Sequence, residues 1–258
     1  MTNTHTMDRV LFGDNQFFGV NHMSEEKARA QQMRFQDLQA IIDVLDAAYQ
    51  EGIRTFMCTT HDRVAQVCDH FRAHPDKYPD YRFYPCMPYA HKYANAVTEH
   101  GMIDAEMKMF HGLNTPVIFI QNVITDLLLG LGFNGLFRVF HDHVREKYNA
   151  EPGYITMNVP RLLDVLEAQG IDNPIVCANI NKIGFRMCGG MRLYEDTIAT
   201  RRFRPVAMSV LASGAIAPRE AIDYVCKQSK IEAIVFGASS RGNIRQTKAL
   251  IDELSVTP

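Results

Sequence analysis

Eight short apolar runs, separated from one another by segments of helical periodicity, restrict the fold of this 258-residue chain more than any other feature. Most of the runs are apolar throughout, which is typical of strands buried on both faces of a parallel sheet. The helical periodicity of the segments between the runs is seen in Leu38, Ile41 and Leu45, which share one face of a helix. The apolar runs are residues 10–13, 53–58, 82–87, 117–121, 154–158, 175–179, 206–210 and 233–237.

Strands and helices that alternate in this number predict a (β/α)8 TIM barrel, and we expect residues 1–258 to form one such domain. An open, doubly wound sheet is the competing arrangement, but it would carry a glycine fingerprint after its first strand. The segment FGDNQFFG at that point lacks the GxGxxG spacing. The closed barrel is therefore the predicted fold.

The charge balance indicates which partners to expect. A formal net charge of −2 gives no electrostatic indication of nucleic acid or of an anionic membrane as partner, so we expect a small-molecule substrate or another protein. The N-terminus MTNTHTMDRV does not have the pattern of a signal peptide. Six cysteines without CxxC spacing are typical of a reduced chain, which predicts a cytoplasmic protein.

The most apolar segment is residues 124–140, ITDLLLGLGFNGLFRVF. Its uncharged stretch between Asp126 and Arg138 is too short to span a bilayer. Two interpretations stay open for it: a buried or partly irregular helix, or the contact surface of a homo-oligomer.

The chain predicts an anion site close to its C-terminus. A strand leads into Gly237, and Ser239, Ser240 and Arg241 follow at the start of a helical pattern. Backbone N–H groups at a helix N-terminus attract negative charge, glycine allows close approach of a ligand, and arginine binds phosphate in a bidentate manner. The alternative is a serine-capped helix with a solvated arginine.

The segments PVAMSVLASGAIAPREAIDYV and FGASSRGNIRQTKALI resemble the C-terminal part of the aldo-keto reductase family, and FGDNQFFGV and AAYQEGIRTFM extend the resemblance more weakly. The resemblance implies a barrel that binds NADP(H). By position, Ser213 and Gly214 would give the first contact with the cofactor. The second contact would come from Gly237, Ser239, Ser240, Arg241 and Arg245. Thr247 stands where the family usually has an asparagine that helps to hold adenine.

The resemblance departs from the family pattern at the reacting end. The family reduces carbonyls with a tyrosine acid that is assisted by an aspartate, a lysine and a histidine. The corresponding positions are Met57 for the aspartate, His61 or Asp62 for the tyrosine, a position near Met87 for the lysine, Gln121 or Asn122 for the histidine, and Met208 for the ring that stacks on nicotinamide. Methionine cannot pass a proton, so we expect the usual carbonyl reduction to be lost unless other groups replace it.

Polar residues at the ends of the first three strands are the candidates for such groups, because active sites of this fold lie at the C-terminal ends of the strands. They are Asp14, His61, Asp62, Tyr89 and His91. His61 is the predicted general acid or base, oriented by Asp62 or Asp14, and the alternative is a histidine that caps the following helix.

Asp14, His61 and His91 follow three consecutive strands, so they would suit either a proton relay or a divalent metal, although no HxH or HExxH spacing supports the metal. Three functions stay in competition. They are an enzyme with non-standard acid–base chemistry on a small polar or phosphorylated metabolite, an NADP-dependent oxidoreductase with relocated catalytic groups, and a catalytically silent binding protein.

Overall fold

Eight parallel strands close into a barrel in the computed structural model, which describes residues 5–88, 100–228 and 230–255. Each strand pairs with its neighbours in the sequence, and the first pairs with the last. The predicted (β/α)8 barrel is therefore confirmed. The strands are β1 (Val10–Phe12), β2 (Thr55–Thr59), β3 (Arg82–Met87), β4 (Val117–Ile120), β5 (Glu151–Thr156), β6 (Ile175–Asn179), β7 (Arg204–Met208) and β8 (Ala233–Phe236).

Helices cover the outside of the barrel and connect the strands. Side-chain oxygens cap the first two: Ser24 accepts the backbone N–H of Lys27, and Asp37 accepts that of Gln39. The described α-helices are α1 (Glu25–Arg34), α2 (Leu38–Gln50), α3 (Asp62–Ala73), α4 (His100–Met107), α5 (Asn122–Leu131), α6 (Gly135–Tyr148), α7 (Val159–Ala168), α8 (Met191–Thr200), α9 (Pro218–Cys226) and α10 (Arg241–Ser255).

Side chains that alternate along the strands fill the inside of the barrel. This interior cluster contains Leu11, Met57, Tyr84, Phe119, Ile155, Cys177 and Val206. Gly153 is required within it, because a Cβ at that position would lie 2.4 Å from the ring of Phe119. A larger cluster packs the outer faces of the strands against the helices. The barrel is a packed core and not a pore, as is usual for this fold.

An ion-pair network closes the N-terminal end of the barrel. The guanidinium group of Arg204 is largely buried, and it binds Glu232 in a bidentate manner at 2.6 and 2.8 Å as well as Glu151. The same guanidinium donates to the backbone carbonyl of His5 at 2.6 Å. His5 Nε2 lies 2.8 Å from the hydroxyl of Tyr84. These contacts hold the first described residues of the chain across this end of the barrel.

The segment of residues 124–140 forms parts of two helices, α5 and α6, which are joined through Gly132 in a left-handed conformation. The segment is therefore helical, but its burial is incomplete, because one face of α5 stays exposed. Val123, Leu127 and Leu131 follow one another at four-residue spacing and are 45%, 42% and 55% exposed. The apolar surface formed by these three residues and Phe133 is called the α5 surface below.

All six cysteines are free thiols. None of the helices in the described ranges combines the length and the apolar character that a membrane crossing requires.

Candidate functional site

Asp14 lies at the C-terminal end of β1, next to the end of β2. Its side chain is 6% exposed, and its Oδ2 accepts hydrogen bonds from the backbone N–H of Thr59 at 2.7 Å and from the Thr59 hydroxyl at 2.6 Å. Burial raises the pKa of Asp14 above its ordinary value of 3.8, and the two bonds from Thr59 oppose this effect. The structure thus places a carboxyl group with an increased affinity for protons at the mouth of the barrel.

The thiols near Asp14 are not activated. Burial raises the pKa values of Cys58 and Cys86 well above the ordinary value, and the negative charge of Asp14 raises both further. A thiol is a nucleophile only as the thiolate, so both cysteines act as small apolar groups at neutral pH.

His61 begins helix α3 as its capping residue. Its Nδ1 accepts the backbone N–H of Arg63 at 3.0 Å, which assigns the proton of the neutral ring to Nε2. The ring also stacks on Phe18 at 4.3 Å between centroids. These two contacts orient the imidazole. The expectation that Asp14 or Asp62 orients it is not met, because Asp14 binds Thr59 and Asp62 is an exposed residue in the first turn of α3.

Amide side chains at the other strand ends hold loops in place. Asn179 donates to the carbonyl of Arg186 at 3.1 Å, and Asn181 exchanges two hydrogen bonds with the backbone of Phe185. Gln121 donates to the carbonyl of Cys86 at 3.0 Å. The structure therefore gives these amides a structural part at the rim.

Gln16 is a rim residue that the sequence does not indicate. It lies in the short 3-10 helix Asn15–Phe18 after β1, and its Nε2 donates to the carbonyl of Gly13 at 2.8 Å. Its Oε1 is buried and has no hydrogen-bond partner. This oxygen lies only 2.0 Å from the position that a Cβ would take on Gly237. Gly237 thus makes room for Gln16, and the expected close approach of a ligand to its bare Cα is replaced by this contact.

The predicted anion site lies at the start of α10, and three of its polar side chains already have partners. Ser240 Oγ accepts the backbone N–H of Asn243 at 3.3 Å, as a capping serine does. Arg241 Nε lies 2.9 Å from Glu51 Oε1, and Arg245 Nη2 lies 3.0 Å from the same oxygen. The arginines are therefore ion-paired rather than simply solvated.

The loop after β7 has an unusual backbone. Ser209, Ala212 and Ser213 have φ angles of 54°, 45° and 57°, and Gly214 follows at 91°. Left-handed conformations cost non-glycine residues roughly 1–3 kcal/mol each, and such strain concentrates at ligand-binding and active sites. The N–H groups of Ala212 and Gly214 already donate to backbone carbonyls within the loop, each at 2.8 Å.

The remaining site predictions have the following outcomes. Tyr89 and His91 lie outside the described residues. Met57 and Met87 are buried, and Met208 is partly buried. Within the described residues, no group of three or more His, Cys, Asp or Glu side chains is arranged to hold a metal ion.

Two clefts of about 420 and 250 Å³ lie at the N-terminal end of the barrel, away from the strand ends that carry Asp14. They share Asp172, Asn173, Pro174 and Arg202, which precede β6 and β7. We give more weight to the rim residues than to these clefts, because active sites of this fold lie at the opposite face.

These features define a closed (β/α)8 barrel with polar side chains at the C-terminal ends of its strands. Solved structures with the same architecture include PA4992 of Pseudomonas aeruginosa, described as an aldo-keto reductase, with 14% sequence identity and a TM-score of 0.68 over 95% of this chain and 90% of that one. The aldo-keto reductase MGS-M4 from a Medee basin deep-sea metagenome library has 13% identity and a TM-score of 0.65 over 98% and 90% of the two chains.

A third structure, described as a 2,5-diketo-D-gluconic acid reductase B, has 11% identity and a TM-score of 0.61 over 96% of this chain and 85% of its own. At such identities the likeness shows the fold alone. No family model and no curated protein matches the sequence.

Proposed function

We propose that this protein is an enzyme that performs acid–base chemistry on a small polar or phosphorylated metabolite at the C-terminal face of the barrel. The observation that carries the proposal is Asp14, a buried carboxyl group with a raised pKa at the end of a strand. A carboxyl group whose pKa lies closer to neutrality is a better general acid or base at working pH.

The other rim groups have distinct parts in this proposal. His61 presents Nε2 as a second proton-carrying atom, since Nδ1 is held by the N–H of Arg63. The loop at Ser213 and Gly214 and the first turn of α10 hold an anionic part of the substrate. Tyr89 and His91 stay candidates for the same site.

An NADP-dependent oxidoreductase is the second candidate function. It is favoured by the fold, which this chain shares with the reductase structures compared above. NADP(H) supplies or accepts a hydride when it is bound. Asp14 would hold the proton that a carbonyl oxygen needs, while Arg241 and Arg245 would hold a phosphate group.

A carboxylate elsewhere in the chain offers a matched control for Asp14. Asp126 accepts from the Thr156 hydroxyl at 2.5 Å and from the Met157 N–H at 3.1 Å, and burial raises its pKa as well. It lies on α5, and Thr156 alternates with Ile155, which faces the inside of the barrel. Asp126 therefore has the same chemistry outside the mouth.

The test compares Asp14→Asn, Asp126→Asn and His61→Gln against a panel of small phosphorylated and carbonyl compounds, with and without NADPH. We expect Asp14→Asn to reduce turnover by about 10²-fold or more, the usual contribution of general acid–base groups. Asp126→Asn should retain turnover. Equal activity of Asp14→Asn and the unmodified protein would exclude the proposal.

The cofactor is tested by titration with NADPH while its fluorescence is followed. Saturable binding supports the oxidoreductase, and absence of binding at millimolar concentration excludes it.

We further propose that the α5 surface mediates contact between two copies of this chain. Its exposed residues Val123, Leu127, Leu131 and Phe133 are all apolar, and the nearby carboxylate of Asp126 is turned toward Thr156. Sedimentation of the unmodified protein and of a Leu131→Glu variant tests this surface.

A further inference from the structure

The smaller cleft at the N-terminal end of the barrel is lined by more cationic than anionic side chains. It has a volume of about 250 Å³ and lies where the C-terminal half of α6 meets the segments that precede β6 and β7. Its charged and titratable wall residues are His141, Arg145, Arg202, Arg204, Glu151 and Asp172. Three guanidinium groups against two carboxylates give the cleft an excess of positive charge, which attracts an anion.

The excess charge belongs to Arg145. Arg204 binds two glutamates, and Arg202 lies 3.1 Å from the carboxylate of Asp172. Arg145 is partly buried in the last turn of α6, and its guanidinium makes neither an ion pair nor a hydrogen bond to any residue that the structure describes. A guanidinium that is partly removed from water and has no counter-charge is a strong partner for a carboxylate or phosphate.

His141 adds a neutral donor one helical turn before Arg145. Its Nδ1 lies 3.3 Å from the hydroxyl of Tyr154, which is buried on β5 and has no other hydrogen bond within the described ranges, so the hydroxyl donates to Nδ1. Burial lowers the pKa of His141, and the charge of Arg145 lowers it further, so the ring is neutral at neutral pH. The proton of the neutral ring then lies on Nε2, which can donate it to a ligand in the cleft.

The larger cleft adjoins the smaller one and is lined by groups that bind hydroxyls. Its volume is about 420 Å³. The residues common to both clefts are Asp172, Asn173, Pro174 and Arg202. The larger cleft adds the carboxylate of Glu167 and the hydroxyl of Thr200, whereas its apolar residues Leu163 and Ile171 are almost wholly buried. Its accessible wall is therefore mainly polar and fits a hydroxylated group better than a hydrocarbon.

We propose that the two clefts form one binding site for a small hydroxylated anion, either a carboxylic acid or a phosphate ester. Arg145 and the Nε2–H of His141 bind the anionic group, and the larger cleft holds the hydroxylated part. Carboxylate and phosphate present the same pair of oxygens to a guanidinium, so both are sources of this chemistry. The site lies at the opposite end of the barrel from Asp14, so the inference is independent of the proposed function.

The experiment measures the binding of glycerate, glycerol 3-phosphate and uncharged glycerol by titration calorimetry. We expect saturable binding of at least one anion and no binding of glycerol at the same concentration. Arg145→Gln should weaken the binding of that anion about tenfold or more, because a charge-assisted hydrogen-bonded pair is lost. Arg202→Gln should weaken it less, because this guanidinium is 74% exposed and already paired with Asp172. The anion that binds more tightly identifies the chemical class of the ligand.

Two further variants locate the site. Arg138→Gln removes a guanidinium from the same helix, where Arg138 pairs with Asp142 outside both clefts. Arg241→Gln removes one from the predicted anion site at the start of α10. Both should leave the affinity of the anion close to that of the unmodified protein. Unfolding midpoints in urea verify that each variant is folded.

Four results would overturn the inference. They are the absence of saturable binding of either anion, binding of glycerol as tight as that of the anions, equal affinities of Arg145→Gln and the unmodified protein, and a loss of binding in Arg241→Gln alone. The last result would place the anion at the C-terminal face and leave the proposed function intact. Should Arg145→Gln fail to fold, Arg202→Gln is compared with Arg138→Gln, and equal affinities of these two variants reject the site.

Discussion

The contact between Gly237 and Gln16 gives a prediction that can be worked out from atomic positions. A Cβ on residue 237 would lie 2.0 Å from Oε1 and 3.0 Å from Cδ of Gln16, whereas ordinary contact begins at about 3.4 Å. The φ angle of Gly237 is outside the left-handed range, so the backbone tolerates alanine and the cost is purely steric. In Gly237→Ala the carboxamide must therefore move by more than an ångström.

The movement breaks the hydrogen bond from Gln16 Nε2 to the Gly13 carbonyl. A buried group left without its partner costs about 1–3 kcal/mol, and the lower chain entropy of alanine offsets about 0.4–1 kcal/mol of this. We expect a net loss of about 1–2 kcal/mol, which lowers the melting temperature by roughly 2–8 °C in a domain of this size.

Urea unfolding followed by circular dichroism measures this loss. The slope of the unfolding free energy against urea concentration should be the same in the variant and in the unmodified protein. Gly242→Ala is the control, because it lies five residues further on, at an ordinary φ, with no atom within 4 Å of its added Cβ. In a Gln16→Ala background the cost of Gly237→Ala should fall by about 1 kcal/mol or more. Equal costs in both backgrounds, or no cost in the unmodified protein, would refute the steric argument.

Three further predictions concern other parts of the molecule. Burial raises the pKa of Asp14 in the folded state, so the stability contributed by its protonated form is complete below pH 3.8 and is lost as pH rises through the folded pKa. The Asp14→Asn variant should therefore become more stable relative to the unmodified protein as pH rises from 4 to 8. Parallel pH profiles of the unfolding free energy in the two proteins would contradict this. Arg204→Met should cost roughly 3–5 kcal/mol, because Glu151 and Glu232 lose a largely buried partner, and chemical denaturation measures the loss. Leu131→Glu should shift any dimer to monomer in sedimentation without lowering the melting temperature of the monomer, since Leu131 is more than half exposed.

The fold was predictable because burial on both faces leaves a continuous apolar pattern in each strand. Residues 82–87 and 175–179 were assigned to strands with the bounds that β3 and β6 have. The prediction for β7 began two residues late, because the strand starts at Arg204, a charged residue that is buried through its ion pairs. Local pattern does not reveal charge compensation by distant residues.

The site was less predictable for the same reason. The ends of β1 and β2 identified Asp14 and His61 as rim residues, but not the hydrogen bonds that hold them. Glu51 is 190 residues from Arg241, and Gln16 meets Gly237 only because β1 and β8 close the barrel. Such pairings follow from the closure of the sheet and have no signature in any short segment.

Residues 5–7 cover the N-terminal end of the barrel and shield its interior. His5 gives its carbonyl to Arg204 and its ring to Tyr84, and Met7 belongs to the interior cluster. These contacts close the N-terminal opening of the barrel. Replacing these side chains would therefore let water reach the apolar interior of the barrel and lower its stability.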